Sequence, residues 1–80
     1  MRAYGKIDYM ETPEGAFFYT YYQKPGCKTW WLVSRHPYEE DAIRALELKC
    51  IRDDIHHMTI QAGAYLCGTR EEGQIIAQFG

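Results

Sequence analysis

Three histidines (His36, His56 and His57) and three cysteines (Cys27, Cys50 and Cys67) are the side chains of this 80-residue chain best suited to hold a metal. Zinc sites in small domains space their ligands in close pairs such as C-x-x-C. The close pair here is His56-His57, and adjacent residues of an extended strand point to opposite faces. The sequence therefore predicts no metal site and no cofactor. Cys27 precedes Lys28, whose charge favours a thiolate, yet nothing in the spacing brings a histidine to it as a base. Glu39-Glu40-Asp41 is an acidic cluster that a charged helix start explains. There is no glycine-rich phosphate loop, no G-x-S-x-G and no H-E-x-x-H. A domain of this length also offers little room for a deep pocket. These patterns predict a protein that is not an enzyme.

Binding chemistry is better represented. The chain is 15% aromatic, and aromatic rings on an open sheet stack unpaired bases. Tyr19, Tyr21, Trp31 and Tyr65 are the candidates for that role. The formal net charge of −2 lacks the basic excess of a chain that grips phosphates non-specifically. The ribonucleoprotein motif is absent as well. A small nucleic-acid-binding domain using an aromatic sheet face is thus the alternative reading. The first reading is a protein-binding module, because tyrosine and tryptophan bury large area and keep a polar handle. Its candidate partner-binding residues are Tyr19, Tyr21, Trp31, Glu39, Glu40, Asp41, Leu48, Ile51, Asp53 and Asp54. The acids would steer the chain toward a basic surface. A homodimer through the aromatic face is compatible with either reading.

The elements that must position these residues follow from pattern. Residues 15–34 are dense in aromatic and β-branched side chains around Lys24-Pro25-Gly26-Cys27. Such side chains suit a pleated, half-buried surface, and Pro-Gly suits a type II turn. The sequence predicts strands over Arg2–Met10, Ala16–Gln23 and Lys28–Ser34, with a turn at Glu11–Gly15. Phe17, Tyr19 and Tyr21 share one face of the second strand; Phe18, Thr20 and Tyr22 share the other. Trp30 and Leu32 oppose Trp31 and Val33. Both faces carry aromatics, so either a second layer or a partner covers the second one. A helix is predicted from Pro37 to about Arg52, with His36 as cap and Glu39 in a capping box. Its core stripe is Ala42, Ile43, Leu46 and Cys50. Leu48 and Ile51 lie off that stripe and either tuck under a flanking loop or face a partner. Met58, Ile60, Ala62, Ala64 and Leu66 form one face of a fourth strand. A loop at Gly68–Gly73 leads to a fifth strand over Gln74–Phe79.

The order β-β-β-α-β-β predicts one domain over 1–80, an α+β fold with an antiparallel sheet and one helix on one face. An odd number of cysteines on separate elements is a poor disulfide framework and suits a reducing, cytoplasmic setting. No apolar run approaches the roughly 20 residues needed to span a bilayer. In size, acidity, aromatic content and element order, the chain resembles the small accessory proteins of bacteriophages and mobile elements, of the anti-CRISPR type. That resemblance implies a phage-encoded inhibitor acting in the host cytoplasm. It would occupy, by stoichiometric binding, the basic surface of a host protein or ribonucleoprotein defence complex. Three strands followed by a helix also resembles, over half the chain, the arm-type DNA-binding domains of phage integrases.

Overall fold

The first two strands close on a turn of two residues. β1 (Ala3–Thr12) and β2 (Gly15–Gln23) pair antiparallel from Thr12↔Gly15 to Tyr4↔Gln23. Thr12 Oγ1 donates to the Gly15 carbonyl at 2.8 Å and accepts the Glu14 N–H at 3.2 Å. That bonding makes the hairpin tighter than the five-residue turn predicted, so β1 is longer. The computed structural model describes residues 2–65, 68 and 70–80, and the expectations placed on Leu66 and Cys67 lie outside them.

At the second turn Cys27 N–H donates to the Lys24 carbonyl at 3.1 Å and Gly26 takes φ +80°, the geometry a type II turn demands. β3 (Trp31–His36) starts later than Lys28 and runs two residues beyond Ser34. It pairs antiparallel with β2, and a register shift leaves Val33 as the extra residue between the Thr20↔Ser34 and Tyr21↔Leu32 pairs. His36 is therefore held extended opposite Phe18, as a residue before proline prefers, and it does not cap the helix. α1 (Glu39–Arg52) begins after Tyr38, which makes no side-chain cap bond. Acids fill its first turn and Lys49 and Arg52 its last, the arrangement the helix dipole favours. Asp54 takes φ +57°, and Ile55 N–H then reaches back to the Cys50 carbonyl at 2.8 Å. This is a Schellman-type stop built without glycine.

β4 (Met58–Tyr65) and β5 (Ile75–Phe79) complete a five-stranded sheet of order β3-β2-β1-β4-β5. The sheet is mixed, not antiparallel: β4 lies parallel to β1 while the other neighbours are antiparallel. The helix dictates this. Its 14 residues carry the chain back along the sheet by about 21 Å. β4 must then run in the same direction as β3, and so as β1. Since β2 already has β1 and β3 on its two edges, the free edge of β1 receives β4 in parallel.

One face of the sheet carries the core. Ala3, Ile7, Met58 and Ile60 from the sheet meet Ala42, Leu46 and Cys50 from α1, all buried, with Tyr22 beside them. Ile43 is half-buried at the margin. Cys50 Sγ donates to Met58 Sδ at 3.6 Å, and burial pushes its thiol pKa up, so it packs as a small hydrophobe. The alternation of β4 breaks after Ala62: the register shifts between Ile7 and Tyr9, and Tyr9 pairs with Tyr65. Ala64 is consequently exposed. Tyr65 takes the helix side instead, its ring 6.3 Å from that of Phe18.

Candidate functional site

The sequence candidates fall into three places. Tyr19 and Tyr21 stand on the helix-free face of the sheet, opposite Asp8 and Lys6 of β1. Trp31 does not join them. It pairs with the buried Tyr22 and so projects on the helix side, as does Tyr65. The ring that accompanies Tyr21 is Trp30, because both lie 4.8 Å from Lys6 Nζ. Glu39, Glu40 and Asp41 sit at the start of α1, while Leu48, Ile51, Asp53 and Asp54 gather at its end.

Glu39 is tied into the fold. Its Oε1 accepts from Arg70 at 2.9 Å and its Oε2 from the Tyr65 hydroxyl at 3.2 Å. Burial first, then the adjacent Glu39 carboxylate, raises the Tyr65 phenol well above its ordinary pKa of 10.0. This clamp joins the helix start to the end of β4. Glu39→Gln is expected to lower stability by about 1–2 kcal/mol, because a charge-assisted bond is lost. The pH sign follows from linkage. A raised folded pKa gives stability that is complete below pH 10.0 and is lost as pH rises above it. Thermal melts at neutral and alkaline pH should show Glu39→Gln with the shallower alkaline loss.

The end of α1 is built differently. Arg44, Leu48 and Ile51 fall on the side of the helix opposite Ala42, Leu46 and Cys50, at 100° per residue. Leu48 is 55% and Ile51 71% exposed, so neither tucks under a loop. A groove of about 610 Å³ runs along one flank, between α1 and β3. Tyr22, Trp31 and Ile55 give it apolar walls; Lys24, Lys49 and Arg52 make it cationic against the single acid Asp53. Trp31 remains 54% exposed at its rim. Lys49 Nζ bonds Asp53 Oδ2 at 2.7 Å and lies 4.7 Å from the Tyr22 ring centre. That bond holds the Asp53 carboxyl below its usual pKa. A second groove of about 590 Å³ follows the other flank, lined by Ile51 and Phe79 and by Glu47, Asp54 and His56. The two flanks are of opposite charge, and the apolar ridge lies between them.

Sequence reasoning missed two arrangements. Asp8 Oδ1 accepts the Ala64 N–H at 3.0 Å across the β1–β4 pair. A polar chain also runs from His36 Nε2 to Ser34 Oγ at 2.8 Å and on to Thr20 Oγ1 at 2.7 Å. The i, i+2 spacing of Ser34 and His36 on one strand was the available signal. Thr20 is fully buried, and neither Ser34 nor His36 lines either groove. The chain satisfies a buried hydroxyl on the core side. Among the described residues, no group of three or more His, Cys, Asp or Glu side chains is placed to hold a metal ion. No described helix is long and apolar enough to cross a membrane.

Comparison with known proteins finds no matching family model, no matching curated protein and no matching solved structure.

Proposed function

We propose that the chain is a non-enzymatic protein-binding module whose contact surface is the C-terminal half of α1. The observation that carries this is the ridge of Leu48 and Ile51, more than half exposed, with Trp31 across the cationic groove. Large apolar side chains standing clear of the surface, each beside a groove, have the makeup of an interface centre. The flanks give the partner's charge pattern. Basic groups would meet Glu47 and Asp54; acidic groups would meet Lys24 and Arg52. In its finer form the reading is a phage-encoded, anti-CRISPR-like inhibitor that blocks a host nucleic-acid-binding complex stoichiometrically. Glu40, Asp41 and Asp54 would supply its long-range attraction to a basic surface, since Glu39 and Asp53 are held internally.

The test compares immobilised wild type with Leu48→Glu/Ile51→Glu in capture from bacterial lysate. A stoichiometric protein partner should be retained by wild type and weakened roughly tenfold or more by the variant, as for loss of an interface anchor. The variant's melting temperature should be unchanged, because both side chains face water. Equal capture by both chains would remove the ridge from the function. The finer form requires the captured complex to lose nucleic-acid binding at equimolar inhibitor.

A further inference from the structure

We infer that the helix-free face of the sheet binds single-stranded nucleic acid, by base stacking with few phosphate contacts. The surface is separate from the α1 ridge and does not depend on it. Among the described residues no helix covers this face, most of its rings are half-buried, and a sheet with one solvated face normally turns polar side chains to water. Here Phe17, Tyr19 and Tyr21 occupy alternate positions of β2, with Tyr4 beside them on β1 and Trp30 next to Lys6. Alternate positions on a strand are about 7 Å apart, a reach that one nucleotide of an unstacked strand can match.

The charges on the face favour this occupant. Lys6 Nζ stands 4.8 Å from the ring centres of both Tyr21 and Trp30, and the Arg35 guanidinium lies 4.4 Å from that of Phe17. The cations hold the rings in place. A guanidinium plane is itself a surface on which bases stack. Asp8, the carboxylate among these rings, is directed to the Ala64 N–H, and Glu14 at the rim pairs with Arg35 at 3.3 Å. Arg35 is claimed by Glu14, so Lys6 is the cation placed to meet a phosphate, while the rings supply most of the attraction. This accounts for a binding face on a chain of net charge −2. One phosphate contact on a single strand predicts a shallow salt slope, about −0.7 in log K against log salt.

The experiment uses fluorescein-labelled oligouridylate and oligothymidylate of roughly ten nucleotides, within the usual site size of such platforms, followed by anisotropy. Wild type should bind one or both at low salt with the shallow slope. Preference for the uridylate or the thymidylate tells whether RNA or DNA is the natural strand. Tyr19→Ala and Lys6→Ala should each weaken binding, the tyrosine by roughly five- to a hundredfold. Leu48→Glu/Ile51→Glu should leave it unchanged. Should Tyr19→Ala fail to fold, Trp31→Phe leaves Trp30 as the one tryptophan, and the oligonucleotide must quench its fluorescence. The proposal is overturned by no binding to either probe, by binding indifferent to Tyr19 and Lys6, or by an unquenched Trp30. It is also overturned by a slope steeper than about −3, which would place the contacts on more phosphates than this face can reach.

Discussion

Leu46→Ala is expected to remove about 3 kcal/mol of folding stability, the middle of the range for a large-to-small change at a fully buried site. Leu46 is fully buried at the centre of the contact between α1 and the sheet. For a domain of this size the melting temperature should fall by about 12–24 °C. The reason lies on the facing strand. Gly5 leaves the space that Leu46 fills, and a Cβ built on Gly5 would stand 3.0 Å from Leu46 Cδ1 and 3.2 Å from Ile60 Cγ1 and Met58 Sδ. Gly5→Ala alone should therefore be destabilising by about 1–3 kcal/mol through overpacking. In the Leu46→Ala background the new methyl enters a cavity, so the two changes should not add. Denaturant melts of both single variants and the double should show a coupling of about 1 kcal/mol or more. Additive losses would mean that the helix rests elsewhere on the sheet.

How far the sequence carried can be judged from particular residues. The alternation of β2 assigned Phe18, Thr20 and Tyr22 to the face opposite Phe17, Tyr19 and Tyr21, and the pairing with β1 shows that division. Pro25-Gly26 announced its turn because a positive φ is needed there and glycine supplies it without strain. The stripe Ala42, Leu46, Cys50 was legible for the same reason: a period of 3.6 maps onto one face whatever it packs against. Three things were not legible. The parallel β1–β4 pair depends on where the chain returns after α1, which is a property of the whole path. The helix start was misplaced because Glu39 has the residue type and offset of a capping-box acid, while its actual partners, Tyr65 and Arg70, lie 26 and 31 residues away. Likewise Trp30 and Trp31 are indistinguishable as types. The bulge at Val33 and the late start of β3 decided which of them joins Tyr21.

Within the candidate surfaces the same limit applies. Leu48 and Ile51 could be marked as off-stripe from their angle on the helix. Their exposure depended on the length and path of the segment after Asp54, which turns toward β4 and leaves them uncovered. The acids at either end of α1 looked equivalent in sequence. In the fold Glu39 and Asp53 have internal cations within 2.9 Å, Asp54 faces water with His56 Nε2 at 3.8 Å, and Glu40 and Asp41 are turned to water. A charge becomes available to a partner only when no nearer opposite charge has claimed it.

Gly63→Ala is expected to destabilise the fold by about 2–3 kcal/mol, an unusual loss for one methyl group at a strand position. A Cβ on Gly63 would overlap Asp8 Oδ1 and would lie 2.9 Å from Asp8 Cγ and Lys6 Cγ. The Asp8 side chain would have to swing away and release the Ala64 N–H that it accepts at 3.0 Å. Overpacking accounts for about 1–3 kcal/mol. The charge-assisted bond adds a further part, reduced because the Ala64 N–H can turn to water. The carboxylate also accounts for the break in β4: by bonding Ala64 it stabilises the register shift that brings Tyr65 to the helix side. Asp8→Ala separates the two effects. In that background the overlap with the carboxylate is gone while the contact with Lys6 Cγ at 2.9 Å remains, and Gly63→Ala should cost about 1 kcal/mol less than in wild type. Removing Asp8 should also lower the Tyr21 phenol pKa. Burial raises it first, and the Asp8 charge adds to that, so an ultraviolet titration should show a partial return toward 10.0. Equal destabilisation by Gly63→Ala with and without Asp8 would show that the strand, not the carboxylate, demands a glycine at this position.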